Sequence, residues 1–572
     1  MISPHSSRIA ARAEDGFTMI IAIGVMLISS LLVVAAFTAS TGDIQISHDD
    51  TIQKQALYAS LAGVEEYQYH LEKEPDYWQT CEAPSSVVPE SEFEHFEVKL
   101  LAANGKEACS TSKPFETMIE SSGQAANTFR IESIGCAGKA KMTVCPEKTS
   151  DAVQVRKVVA SFKATGFLQF VYFTRYEDED PVLYKPKADC ETYYEVKGVK
   201  RNSECQLIEF VTGDGVKGPM HTDDTAVVCG NPEFGRASRK TSSGEETDPD
   251  KVEINGGLDE ACGSKPVFNT PSKTYSVGKE LVAPASDESL LSYVEAANKF
   301  SGVTQLTLNG TANTITVVNQ GTEKTISWPE NGLIYVAKKS EATCEYEFTD
   351  HDADGPKEKT NETNCGNVYV HGTYSKSLTI AGENNVIING DTYPTSVAGK
   401  LGEEATGTAT LGLIATYFIR IYHPVAETYK PSSPPNCNKG DTYNSTTKLC
   451  EYENSANGCS APDLNATEDK AAGGYGWGTQ ENIYVYAAIL STKHSFTVDN
   501  YNCGNELGKL NVYGAIAQNF RGIVGTGGSG GGTGYIKNYN YDERLAADEP
   551  PYFLQPLNTG WEVNRETAPT GG

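Results

Sequence analysis

Residues 16–42 carry no charged side chain, in a chain that is otherwise polar and acidic. The run opens Gly16-Phe17-Thr18-Met19-Ile20-Ile21-Ala22 and continues through Val33, Val34 and Phe37 to Gly42. As a helix rising 1.5 Å per residue it spans roughly 40 Å. A bilayer core takes ~20 apolar residues, and the apolar region of a cleaved secretory signal is only ~7–15 long. The pattern therefore predicts a membrane-spanning helix over 17–42. The helical period then continues into polar sequence. Leu57, Leu61, Val64 and Leu71 recur at helical spacing, with Asp49, Asp50, Lys54, Glu65 and Glu66 on the other faces. Pro75 ends the run, because proline lacks the amide proton and clashes with the preceding turn. An amphipathic stalk helix is expected over 43–74, packed on its own globular domain.

Beyond the helix the period changes from 3.6 to 2. Phe129-Arg130-Ile131-Glu132-Ser133-Ile134 alternates, and Val153–Ala160 is a Val-rich strand candidate. A small antiparallel sheet laid on the stalk makes 75–165 an α+β head. From Gly166, short Val/Ile/Tyr strands alternate with Gly, Asn and Asp turns. Val368–Val370, Leu378–Ile380 and Val386–Ile388 are centred about nine residues apart, each followed by a Gly- or Asn-bearing corner. Asn384, Asn385 and Asn389 at such corners suit stacking from rung to rung. The expected fold class is α+β: a long N-terminal helix with a small antiparallel sheet, then a large all-β domain over 166–565. That domain reads as a β-helix or solenoid with insertions, a β-sandwich being the alternative. Residues 566–572 read as a disordered tail.

The opening residues 1–16 form a short polar leader with Arg8 and Arg12, ending Glu14-Asp15-Gly16 before Phe17-Thr18. A polar leader closed by Gly, then Phe-Thr and an uncharged helix, resembles the start of type IV pilins and pseudopilins. The Phe129–Gly135 strand followed by the basic strand Gln154–Lys163 is a second, weaker likeness to pseudopilins. The resemblance implies that a membrane prepilin peptidase cuts between Gly16 and Phe17, leaving a new, methylated amino terminus. It implies an α-helical filament seam including Ile21, Leu57, Leu61 and Val64. Its partners would be other pilin subunits, pilus assembly membrane proteins and membrane lipid. Two positions depart from the pattern: Asp15 stands where Lys or Arg is usual, and Ile21 where major subunits carry Glu. A carboxylate in a bilayer is costly unless paired, and in the family that Glu pairs with a neighbour's amino terminus. A subunit without it resembles one that starts or tips a filament; a plain membrane anchor is the other reading. The large β-rich portion is loosely similar to ectodomains that follow pilin-like stalks on bacterial surfaces, in 167–177, 218–224 and 511–522.

Charge and cysteine content narrow the setting. The chain has 572 residues and 47 Lys+Arg against 75 Asp+Glu, a formal charge of −28. Such a balance argues against nucleic acid as a partner, since phosphate binding needs clustered cations. All fourteen cysteines follow the apolar helix. No pair has C-x-x-C spacing, so disulfides in an oxidising exterior are favoured over structural zinc. Neighbours enclosing short loops, such as Cys190–Cys205 or Cys344–Cys365, are the economical pairings.

Candidate chemistry is sparse. Asp350-His351-Asp352-Ala353-Asp354-Gly355 places oxygens at positions one, three and five and Gly at six, as in the first half of a calcium loop. Asn361 occupies position twelve, where a bidentate Glu is expected. Calcium at Asp350, Asp352 and Asp354 is thus weighed against a plain solvated loop, with no other cofactor expected. His221 with Asp223 and Asp224 reads first as local hydrogen bonding at a strand corner. The Gly-rich run 525–534 lacks the Lys-Ser/Thr ending of a phosphate loop. No catalytic set stands out, so no enzyme activity is expected. The expected function is a single-pass, surface-exposed minor pilin-like subunit, at a filament tip, presenting a disulfide-stabilised β domain for adhesion to a surface or glycan ligand or for assembly. The alternative is a membrane-anchored β-helix enzyme acting on polysaccharide.

Overall fold

The computed structural model describes residues 17–567 apart from internal stretches, the longer being 88–92, 104–107, 120–127, 191–200, 241–245, 345–361, 424–427, 438–441, 452–479, 528–531 and 558–560. One helix, α1 (Phe17–Lys73), runs unbroken for 57 residues, roughly 85 Å at the α-helical rise. Within it Met19–Ala36 is long and apolar enough to cross a membrane, and none of that stretch is buried by the protein. From Ile52 onward the helix docks. Ile52, Ala56, Ala59, Ser60, Val64, Tyr67 and Leu71 are buried. Leu57 and Leu61 are only partly covered, so the docked stripe is displaced from the one drawn by the leucines. Its middle is made of the small residues Ala56, Ala59 and Ser60, which let backbones approach.

The docking surface is a five-stranded antiparallel sheet. Its first four strands are β1 (Ser85–Val87), β2 (Glu94–Leu101), β3 (Thr128–Gly138) and β4 (Val153–Ala164). Gly63 of α1 faces Ser133 and Phe96, and Gly135 of β3 faces the backbone of Ala56 and Ser60 so closely that a Cβ there would overlap it. Two glycines therefore set the helix–sheet distance. Phe96, Phe129, Ile131, Val158 and Phe162 fill the interface with Tyr67 and Trp78. The fifth strand is Trp561–Thr567, antiparallel to β4. This corrects two expectations. Residues 561–565 leave the large β domain, and the tail 566–572 begins inside a strand. Trp561 stacks edge-on against Phe129 at 4.9 Å, and that burial draws the chain end back to the head.

The large β portion is built of parallel ladders within one 21-stranded sheet. One ladder runs through Lys299–Ser301, Leu333–Ala337, Leu378–Gly382, Leu411–Ala415, Tyr484–Ser491 and Glu506–Arg521. It does not end there. Tyr172–Glu179 adds to Glu506–Arg521, then Met220–Thr222, then Val252–Ile254. A second parallel ladder joins Thr304–Asn309, Val368–Tyr374, Val386–Pro394, Ile419–Ile421 and Phe496–Val498. A third joins Thr533–Tyr541 to Glu506–Arg521 on one side, and on the other to Gly215–Lys217, Glu233–Phe234 and Val267–Phe268. All three contribute side chains to one apolar core, from Val216 and Phe234 to Ile388, Val485 and Val512. The first strands of the domain thus stack against its last ones, and the strands near 299–337 lie at the other end of the ladders. The segment from Leu281 to Val294 crosses the outer face, where Leu281 and Leu290 cover Leu333, Tyr335, Ile414 and Leu490.

Asparagine links the rungs. The Asn385 side-chain amide donates to Asn367 Oδ1 at 3.0 Å, and the Phe418 amide donates to Asn385 Oδ1 at 3.0 Å. Both asparagines are fully buried, and the second bond satisfies a backbone amide that a corner would otherwise leave orphaned. Asn389 Oδ1 instead accepts from His371 Nδ1 at 3.1 Å. Six disulfides are formed among the described residues: Cys81–Cys109, Cys136–Cys145, Cys190–Cys205, Cys229–Cys262, Cys344–Cys365 and Cys437–Cys450. Each joins neighbours in the cysteine order. Cys459 and Cys503 lie outside the described residues.

Candidate functional sites

The processing pair straddles the edge of what is described: Gly16 lies outside it, and Phe17 is the first residue of α1. Ile21 is exposed on the apolar half of the helix. Val64 is buried against the sheet and so is not available to a helix neighbour, unlike part of Leu57 and Leu61. The calcium candidates Asp350, Asp352 and Asp354 lie outside the described residues, as do residues 528–531 of the Gly-rich run.

His221 is fully buried in the strand Met220–Thr222. Its Nε2 meets Asp223 Oδ1 at 2.8 Å and its Nδ1 meets Glu253 Oε2 at 2.7 Å. Glu253 stands directly opposite His221 in the parallel ladder. Burial works against the charged imidazolium, but the two carboxylates outweigh it and raise the His221 pKa. The Asn255 amide donates to Asp223 as well, at 3.2 Å. With both ring nitrogens engaged, His221 is a structural crosslink between rungs. Sequence reading found Asp223 by adjacency and missed Glu253, whose partnership is made only by the ladder. Asp224 turns the other way, taking the Glu177 amide at 2.8 Å and the Arg201 guanidinium.

A run of acids, Glu177-Asp178-Glu179-Asp180, is buried where the first strand of the domain ends. Arg521 pairs with Glu177 at 3.0 Å and also donates to the Ile208 carbonyl at 2.7 Å. Its guanidinium lies 3.5 Å from the centre of the Phe210 ring. Tyr172 donates to Glu177 at 3.1 Å. Close by, Lys537 Nζ lies 2.9 Å from Asp214 Oδ2. Arg201 bridges Asp178 and Asp224. Burial is the first cause that pushes Asp178 and Glu179 up to about 7. Apart from Asp224, none of these groups was singled out in the sequence; Arg521 and Lys537 meet Glu177 and Asp214 only across 344 and 323 residues.

Two groups of metal-type side chains also converge: Asp178 with Cys190 and Cys205, and Glu209 with Cys229 and Cys262. In both the sulfurs are bonded to each other, so no thiolate is present to hold a metal.

A polar cavity of about 450 Å³ opens between the crossing segment and the ladders. Asp287, Glu288, Lys338, Glu383, Tyr417 and Lys493 are among its lining residues. Asp287 is completely buried. Tyr335 and Thr416 both donate to its Oδ1, at 3.0 and 2.9 Å, while its Oδ2 has no hydrogen-bond partner. Burial raises its pKa to about 7, the two hydroxyl donors working against that rise. Lys338 pairs with Glu383 at 3.4 Å. This arrangement offers a carboxyl that holds a proton near neutrality beside Glu288 and Glu383. No family model matches this chain, and neither a curated protein nor a solved structure matches it.

Proposed function

We propose that the protein is a membrane-inserted, pilin-like minor subunit of a type IV pilus or a related secretion filament, standing at the filament tip. The observation that supports this most is the division of labour along α1. One uninterrupted helix exposes an apolar half and docks its second half, through Ala56, Ala59, Ser60, Gly63 and Val64, onto an antiparallel sheet. Ile21 in place of Glu leaves no carboxylate for the amino terminus of a neighbour above, which suits a tip. The large domain is read as a parallel β-helix with insertions, in keeping with its parallel ladders around one core. A disulfide-stitched domain of that size, carried outside the membrane, serves adhesion to a surface or glycan, or filament assembly. The test is processing of the native chain. Gly16→Leu should retain residues 1–16, giving a mass higher by that leader. An unchanged mass in the mutant would sink the pilin reading.

The second reading, a membrane-anchored enzyme acting on polysaccharide, draws on the cavity around Asp287. A carboxyl with its pKa raised by burial, lining one cavity with a second carboxyl such as Glu383, is the kind of pair glycoside hydrolysis uses. Release of reducing sugar by the purified full chain, lost in Asp287→Asn, is the outcome that would favour it.

A further inference from the structure

Lys537 and Asp214 present an unusual problem for a protein interior. Both are more than nine-tenths buried as side chains. Lys537 lies in the strand Thr533–Tyr541 and Asp214 just before the facing strand Gly215–Lys217 of the third ladder, where Asn538 is opposite Gly215 and Tyr539 opposite Val216. One position further along the same register puts Lys537 beside Asp214, with Nζ 2.9 Å from Oδ2. Around them are Val216, Tyr539, Phe210 and Leu510 of the apolar core. Arg521 and Glu177 form a second buried pair close enough to act on Lys537 electrostatically.

An amine and a carboxyl held in contact in a dry, aromatic-lined core are the two halves of an amide. We propose that Lys537 Nζ and Asp214 Cγ become joined in an intramolecular amide bond. The reaction begins with transfer of a proton from the ammonium to the carboxylate along their existing hydrogen bond. That transfer removes two charges from the protein interior, where Asp214 Oδ2 accepts from the Lys537 ammonium and from the Val211 amide at 3.1 Å. Burial, the largest effect, lowers the Lys537 pKa, and the positive charge of Arg521 works in the same direction. The neutral amine then attacks Asp214 Cγ. The Nζ–Cγ bond forms, the bond from Cγ to one Oδ breaks, and a second proton leaves Nζ with that oxygen as water. Nothing is oxidised or reduced. Fixed proximity substitutes for the activation that amide formation needs between free molecules. Glu177 and Arg521 neutralise one another before and after the step, so the product leaves no unpaired charge.

The bond would close a loop between positions 323 residues apart. It fastens Gly215–Lys217, among the first strands of the domain, to Thr533–Tyr541, among the last. The seam between the two ends of the chain would then resist shear. This inference is independent of the filament reading.

The full chain, purified in detergent, reduced, denatured and digested with trypsin, tests it. Unlinked protein yields residues 202–217 and residues 522–537 as separate linear peptides. Linked protein resists cleavage after Lys537 and yields residues 202–217 joined to residues 522–544, lighter by one water than the two linear pieces. Asp214→Ala, which removes both the proton acceptor and the electrophilic carbon, should give no branched peptide. Lys537→Met should give none. Recovery of only linear peptides from the natural chain would overturn the proposal and leave a buried ion pair.

Discussion

At the scale of single residues, the chain places charge where its energy depends entirely on a partner. Arg521 is 1 % exposed and Glu177 is 0 % exposed. Removing one member of such a pair strands the other in a medium that cannot solvate it. Arg521→Met is therefore expected to destabilise the large domain by about 3–5 kcal/mol. The double variant with Glu177→Gln should cost clearly less than Arg521→Met alone. Chemical denaturation of both measures this, and equal losses would refute it. Asp287 gives the pH expectation. Its folded pKa is raised to about 7 by burial, against an ordinary value of ~3.9 for an unfolded Asp. The native state thus holds a proton that the unfolded state has released. The stabilisation is full below the unfolded value and is lost as pH rises through about 7. Asp178 and Glu179 act in the same sense. The melting temperature should fall between pH 5 and pH 8, and fall less in Asp287→Asn.

At the scale of elements, the helix–sheet contact turns on two glycines. Gly135 has helix backbone directly above it, and Gly63 has Ser133 and Phe96. Gly135→Val must push α1 away from β3, a form of overpacking that typically costs about 1–3 kcal/mol. The expected readout is faster proteolysis within residues 52–71, with the large domain intact. Gly24→Val is the control, since a Cβ there meets nothing within 4 Å. If both variants were equally resistant, close docking would not be what holds the stalk. The C-terminal strand bears on the same contact. Trp561 packs on Phe129 and Trp78, so a chain stopped after Leu557 should lose the edge of the small sheet and expose β4.

At the scale of the whole molecule, α1 carries an apolar half that nothing in the protein covers, and the bulk of the chain sits beyond it. Close helix packing along a shaft leaves little room for such a domain at every position. In the tip reading, antibody-gold labelling of sheared filaments marks ends, and continuous labelling along the shaft overturns it. Between the two portions the chain passes twice. It leaves the small sheet after β4 and returns as Trp561–Thr567, so the large domain is inserted between two neighbouring strands of the head.

Much of this was legible in the residues because the signals are local. The absence of charge over 16–42 dictates an apolar helix, and Pro75 bounds it: α1 ends at Lys73. Val and Ile alternating with Gly and Asn dictate short strands and corners, and Asn385 does hydrogen-bond from rung to rung. Cysteine order left the connectivity open, but the economical pairings of Cys190 with Cys205 and of Cys344 with Cys365 are the ones formed, short loops costing the least entropy to close. Other features depend on which distant segments meet, and no local period carries that information. The nine-residue spacing of Val368, Leu378 and Val386 marks strands of different ladders: Val386 stacks on Val368, while Leu378 belongs with Leu411. Strand order is also non-sequential. Burying Tyr172 beside Ile516, and Val216 beside Tyr539, brings the start of the domain onto its end. Only that closure puts Glu177 beside Arg521 and Asp214 beside Lys537, while Glu253 reaches His221 through the pairing of Met220–Thr222 with Val252–Ile254. The sequence by itself determined the elements, the export-type cysteine chemistry and the apolar helix, since each follows from residues adjacent in the chain. The tertiary structure alone decided the neighbours of the buried charges, since a charge can be buried only where the fold brings its counter-charge.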